Sequence, residues 1–174
     1  MINPDLNLRK LKYQFLKDGI VTIENWLDPI YAEELWDHLN TMPNDWWGVS
    51  TRPDSYDNMQ IIKWNDDNTE VIETHEQLAR DAFANGLFSY IFRRTYEDHY
   101  AKCYCAECKF TKDVLSKEVV NFLAFITDYK VTQINELFAS YYAPGDFLSP
   151  DSDGPNGVLG FVYNLSKNWR PEWG

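Results

Sequence analysis

The last third of the chain is cut into short pieces by turn formers, and this limits what it can build. Ala143-Pro144-Gly145-Asp146 is followed, two residues later, by Ser149-Pro150-Asp151-Ser152-Asp153-Gly154-Pro155-Asn156-Gly157. Pro and Gly at that density exclude a continuous helix. The flanking stretches, Ile134 to Tyr142 and Val158 to Leu165, are β-branched and aromatic and read as strands.

Ahead of this region the signals are mostly helical. Asn3-Pro4-Asp5 offers a side-chain cap and a Pro at the first helical position. Leu8, Leu11, Phe15 and Leu16 then form one stripe, which Gly19 ends. Asp28-Pro29 repeats the cap, before a helix carrying Ala32, Leu35, Trp36 and Leu39 on one side. Thr74 to Asn85 has helical spacing through Leu78 and Ala82, with Gly86 after it. Ser116 caps a helix with Val119, Val120, Leu123 and Ile126 inward. Between the helices, Ile20–Ile23, Met59–Trp64 and the alternating Phe88–Phe92 read as strands, and residues 41–58 as a loop. The expected organisation is α+β in a single domain over 1–174, since the length leaves little room for a second. Residues 1–130 form a helical layer with a few strands, and residues 131–174 begin a sheet. The 7 Trp, 11 Tyr and 10 Phe suit a strand-rich core or a pocket.

Charge narrows the partners. Sixteen Lys and Arg against 27 Asp and Glu give a net charge of −11, which repels phosphate backbones and anionic membranes, so neither nucleic acid nor membrane is an expected partner. The first nine residues lack the order of a signal peptide. Three cysteines crowded into six residues do not make a secreted disulfide framework, and the expected location is cytoplasmic.

Two constellations carry chemistry. Asp151-x-Asp153 places two carboxylates on one side of a strand end. Such a pair either holds a metal or caps loop N–H groups. An EF-hand loop is a poor match, because a ligand position falls on Pro155. His99, Cys103, Cys105 and Cys108 either hold a structural zinc or are ordinary thiols beside one imidazole. No dinucleotide, P-loop or nucleophile-elbow motif is present. His38 and His75 read as surface or packing residues, and Trp46-Trp47 as packing.

The string from Phe138 through Ser140-Tyr141-Tyr142-Ala143-Pro144-Gly145-Asp146-Phe147-Leu148 to Gly157, with Phe161-Val-Tyr-Asn-Leu-Ser-Lys-Asn-Trp169 after it, resembles the Fe(II)/2-oxoglutarate-dependent dioxygenases, in their prolyl 4-hydroxylase-like branch. The match covers residues 134–174 best. The resemblance implies N-terminal helices packed on a double-stranded β-helix, or jelly roll. It implies hydroxylation of a protein or peptide side chain, with Fe(II) and 2-oxoglutarate as cofactors. It puts Asp153 at a retained iron-ligand position and Asp151 where the family has a His. Tyr141 and Asn164 fall at positions that face the cosubstrate in relatives, and no residue is assigned as catalytic. The chain stops where the family's sheet continues, ahead of the later His and the basic 2-oxoglutarate anchor, so a jelly roll truncated in its C-terminal part is expected. Such a chain would self-associate through unpaired strand edges. The alternatives are a non-catalytic relative serving as a binding or structural module, and a fragment completed by another polypeptide.

Overall fold

The computed structural model describes residues 1–53, 59–96, 105–135, 137–150 and 157–170. It is a mixed α+β structure, with five helices and one antiparallel sheet among the described residues. The chain forms two compact units. None of the described helices is long and apolar enough to cross a membrane.

The first unit comprises Met1–Asn40, Lys109–Asn135 and Asp153–Gly174. Its first helix, α1 (Leu8–Asp18), starts later than the Asn3-Pro4 signal suggests: the cap is Asn7, whose side chain accepts the Lys10 N–H at 3.1 Å. Asn3 is used elsewhere. Its own N–H donates to the Trp26 carbonyl at 2.8 Å, beside the Ile2–Leu27 bridge, and that pairing keeps the first residues out of the helix. Gly19 ends α1 at φ +71°, a left-handed geometry that glycine adopts without strain. Ile20–Ile23 is not a strand, and Ile20 is exposed.

Helix α2 (Pro29–Thr41) begins where Asp28-Pro29 indicates, with the Asp28 carboxylate accepting the Ile30 and Tyr31 N–H groups at 3.0 and 3.3 Å. Of the expected stripe on α2, Leu35 is buried and Ala32, Trp36 and Leu39 are half-buried. Helix α4 (Ala106–Val114), which belongs to this unit from Lys109 on, lies where the sequence showed only thiols. Ser116 takes the cap position of α5 (Lys117–Thr127) without a side-chain capping bond. Helices α1 and α5 pack together, with Phe15 edge-on to Tyr129 at 5.9 Å and Lys12 paired to Asp128 at 2.6 Å. Val158–Leu165 does not join a sheet here.

The second unit comprises Thr41–Cys108 and Glu136–Ser152. It holds β1 (Trp47–Arg52), β2 (Gln60–Lys63), α3 (Thr69–Ala84), β3 (Tyr90–Thr95), β4 (Ser140–Tyr141) and β5 (Phe147–Leu148). The sheet order is β2-β1-β3-β4, with β5 also on β3, and every pairing is antiparallel. Strand β1 is a correction to the loop expected over 41–58. It is buried along its length because it lies between two neighbours, so it shows no polar–apolar alternation. Residues Val49, Ile72, Ala79 and Ile91 form the core, with Ile62, Trp64 and Phe147 against it. Helix α3 therefore turns Ile72, Ala79 and Ala82 inward and leaves Leu78 exposed, unlike the stripe read from spacing.

The expected strand over Ile134–Tyr142 is reduced to β4. Tyr141 pairs with Arg93 and Phe147 pairs with Ile91, so five residues, 142–146, stand opposite Phe92 alone. This excursion breaks what would otherwise be one edge strand.

Gly48 on β1 lacks room for a side chain. A Cβ there would sit 2.9 Å from Ile61 Cγ2 and 3.0 Å from Tyr96 Cδ2, on the neighbouring strand and just beyond β3. Gly48→Ala is expected to destabilise the chain by about 1–3 kcal/mol through overpacking. Denaturant unfolding checks this, and an unchanged midpoint would refute the close approach.

Candidate functional site

The excursion is built from a tight turn and a buried charge network. Pro144 and Gly145 occupy the two central turn positions, with Gly145 at φ +91°, and the Asp146 N–H donates to the Ala143 carbonyl at 2.9 Å. That is the residue pattern of a type II turn. The Asp146 carboxylate then folds back. One oxygen accepts the Ala143 N–H at 2.9 Å, and the other accepts from Arg93 Nη1 at 2.9 Å. Arg93 Nη2 reaches Glu76 of α3 at 2.9 Å. Arg80, one turn along α3, binds the second Glu76 oxygen at 3.2 Å and the Gly145 carbonyl at 2.6 Å.

The network holds two cations and two carboxylates, so its formal charge is zero. The Asp146 side chain is 1% exposed and that of Arg93 is 11% exposed. Charges this deep persist only when paired and hydrogen-bonded. The Arg93 guanidinium also lies 5.3 Å from the Trp64 ring centre. Burial pushes the Asp146 carboxyl above the usual carboxylate range, against the opposing pull of the Ala143 amide, Arg93 and Arg80.

Beyond β5 the chain is held once more. The Ser149 N–H and hydroxyl donate to the Ser89 carbonyl at 3.1 and 2.5 Å, and the Ser149 oxygen accepts the Ser89 N–H at 3.0 Å. Ser149 is buried, and it lies two residues before Asp151. Asp151 and Asp153 themselves lie outside the described residues.

Tyr141, a residue expected to face a cosubstrate, pairs with Arg93 and shares its side of the sheet. Its ring meets Trp47 edge-on at 4.8 Å. Burial raises the phenol pKa, with Arg93 lowering it and Asp146 raising it. Tyr142 is 52% exposed, and its ring lies 5.9 Å from that of Phe92 instead. Two adjacent tyrosines look alike in sequence, and strand register alone separates them.

Asn164 belongs to the first unit, where it is exposed and its side chain accepts the Ser166 N–H at 2.9 Å. That bond gives Asn164 a local turn role. Of the thiol cluster, Cys105 is half-buried just ahead of α4 and Cys108 is buried within it. Neither is in a disulfide, and His99 and Cys103 lie outside the described residues. No protein-family model, no curated protein and no solved structure matches this chain.

Arg93→Met would leave the Glu76 and Asp146 carboxylates facing each other without their shared cation. The expected loss is about 3–5 kcal/mol, the cost of breaking a buried pair. Losing Arg93 raises the Asp146 pKa further. A carboxyl whose folded pKa is raised favours folding below its unfolded value and loses that contribution as pH rises through the folded value. The melting deficit of Arg93→Met against wild type should therefore be larger at neutral pH than in acid. Melts across that range test it, and an equal deficit at both ends would show that the network is not ionised as drawn.

Proposed function

We propose that this chain is built on the plan of the Fe(II)/2-oxoglutarate-dependent dioxygenases, in the prolyl 4-hydroxylase-like branch. The reaction of that plan is hydroxylation of a protein or peptide side chain, in the cytoplasm. The observation that supports the reading is the fixed path of the chain up to Ser149, two residues ahead of the Asp151-x-Asp153 string. That path is held by a charge-bound turn, a short strand on the sheet and three hydrogen bonds between Ser149 and Ser89. A metal-ligand loop needs such a fixed starting point.

Iron in that plan supplies oxidative chemistry through three protein ligands on one face. The donor set here does not fit that triad. The matching segment offers two carboxylates and no imidazole, since His38, His75 and His99 all precede it. Two carboxylates suit a harder cation such as Mg²⁺ or Mn²⁺. That mismatch favours a second reading, a non-catalytic relative that binds a divalent ion and a partner.

One pair of measurements separates the two. The chain is given Fe(II), 2-oxoglutarate and O₂ with candidate peptides, and succinate is followed; Mn²⁺ binding is followed in parallel. The hydroxylase reading expects succinate above the blank, abolished in Asp153→Ala. The binding reading expects no succinate, with Mn²⁺ binding that Asp153→Ala removes. If neither succinate nor Mn²⁺ binding depends on Asp153, the carboxylate site is wrong.

A further inference from the structure

Cys105-Ala106-Glu107-Cys108 falls at the start of a helix, in the sheet unit, which runs to Cys108. Cys105 stands just ahead of α4, where Ser, Thr, Asp or Asn is the usual choice. Cys108 lies three residues on, in the first turn. Side chains three apart at a helix turn are neighbours, as a disulfide requires. Neither sulfur is in a disulfide, so the pair stands in its dithiol form.

The two thiols differ in access. Cys105 is half-buried and Cys108 is buried, so an incoming reactant meets Cys105 first. The first-turn N–H groups of α4 carry partial positive charge, which favours sulfur as thiolate, the form that attacks a disulfide. A carboxylate oxygen of Glu107 lies within 4.8 Å of the Cys105 sulfur, and Glu107 is 2% exposed. A carboxylate held that deep beside a thiol is a proton acceptor placed at the reacting group. Attacking thiol, resolving thiol and proton acceptor thus lie within four consecutive residues.

We propose that Cys105 and Cys108 form a thiol–disulfide exchange site that reduces disulfide substrates, with Cys105 attacking, Glu107 taking its proton and Cys108 resolving. The Cys105 sulfur bonds to one sulfur of the substrate, the substrate S–S bond breaks, and the departing half takes up the proton. The Cys108 sulfur then bonds to Cys105 and releases the second half with the second proton. The dithiol loses two electrons and two protons, and the substrate disulfide gains them. This chemistry uses neither Asp151 nor Asp153, and it stands whether or not those carboxylates bind a metal.

Glutathione disulfide is the probe, added to the 174-residue chain after reduction by dithiothreitol and removal of the reductant, with products read by intact mass. Cys103→Ser leaves Cys105 and Cys108 as the remaining cysteines. That chain should close an internal disulfide, release both glutathione halves and return to the dithiol in dithiothreitol. In the same background, Cys108→Ala removes the resolving thiol, so glutathione should stay on Cys105. Replacing Cys105 by Ser instead should slow adduct formation at least roughly tenfold, since the remaining thiol is buried. Adding Glu107→Gln to the Cys108→Ala chain should slow it at least roughly tenfold as well, with circular dichroism unchanged. A Cys103→Ser chain that does not react, or that keeps glutathione without closing the internal disulfide, overturns the proposal. So does an undiminished rate in the Cys105→Ser or Glu107→Gln chain, or a purified chain whose thiols hold zinc and do not exchange.

Discussion

One guanidinium organises the sheet unit. Arg93 sits on the central part of β3, on the side that faces α3, where an apolar side chain would be the ordinary choice. An unpaired cation at that depth would be costly. It is tolerated because Glu76 comes to it from α3 and Asp146 comes to it from the turn after β4. Helix, strand and excursion are thus tied to a single group. Networks of this kind add little net stability over an apolar core, since desolvation offsets attraction. Their effect here is geometric, because the Asp146–Arg93 contact ties residues 142–146 to the strand they leave and rejoin.

That path has consequences down the chain. The excursion consumes five residues opposite Phe92, and β5 then re-enters the ladder beside Ile91. Ser149 follows, bound at three points to Ser89. A tight turn with Gly at positive φ, a buried ion pair and a buried serine together fix the path of the chain up to Ser149. The dioxygenase plan proposed for this chain draws on this same stretch of sequence. Its functional content depends on donor chemistry, and fold alone does not decide it.

The helical unit solves a different problem. Its aromatic side chains, among them Trp26, Phe110, Phe122 and Tyr163, bury large areas against each other. They hold the inward side of Val158–Leu165, whose backbone makes no backbone hydrogen bond among the described residues. Side-chain packing and ladder formation are separable, and this segment has the first without the second.

Signals contained within a few residues were legible from sequence. Asp28-Pro29 starts α2 and Gly19 ends α1 because capping is a local hydrogen-bond and φ problem. The Pro144-Gly145 turn was legible for the same reason. The Asn3-Pro4 signal failed because Asn3 pairs with Trp26, far away in the chain. Strand β1 was hidden because burial on both sides erases alternation. The choice between Tyr141 and Tyr142 depended on register against β3. Local chemistry determined where elements start, turn and stop. Only the tertiary structure decided which strands find partners and which carboxylates meet Arg93, since those depend on backbone and charge brought from distant parts of the chain.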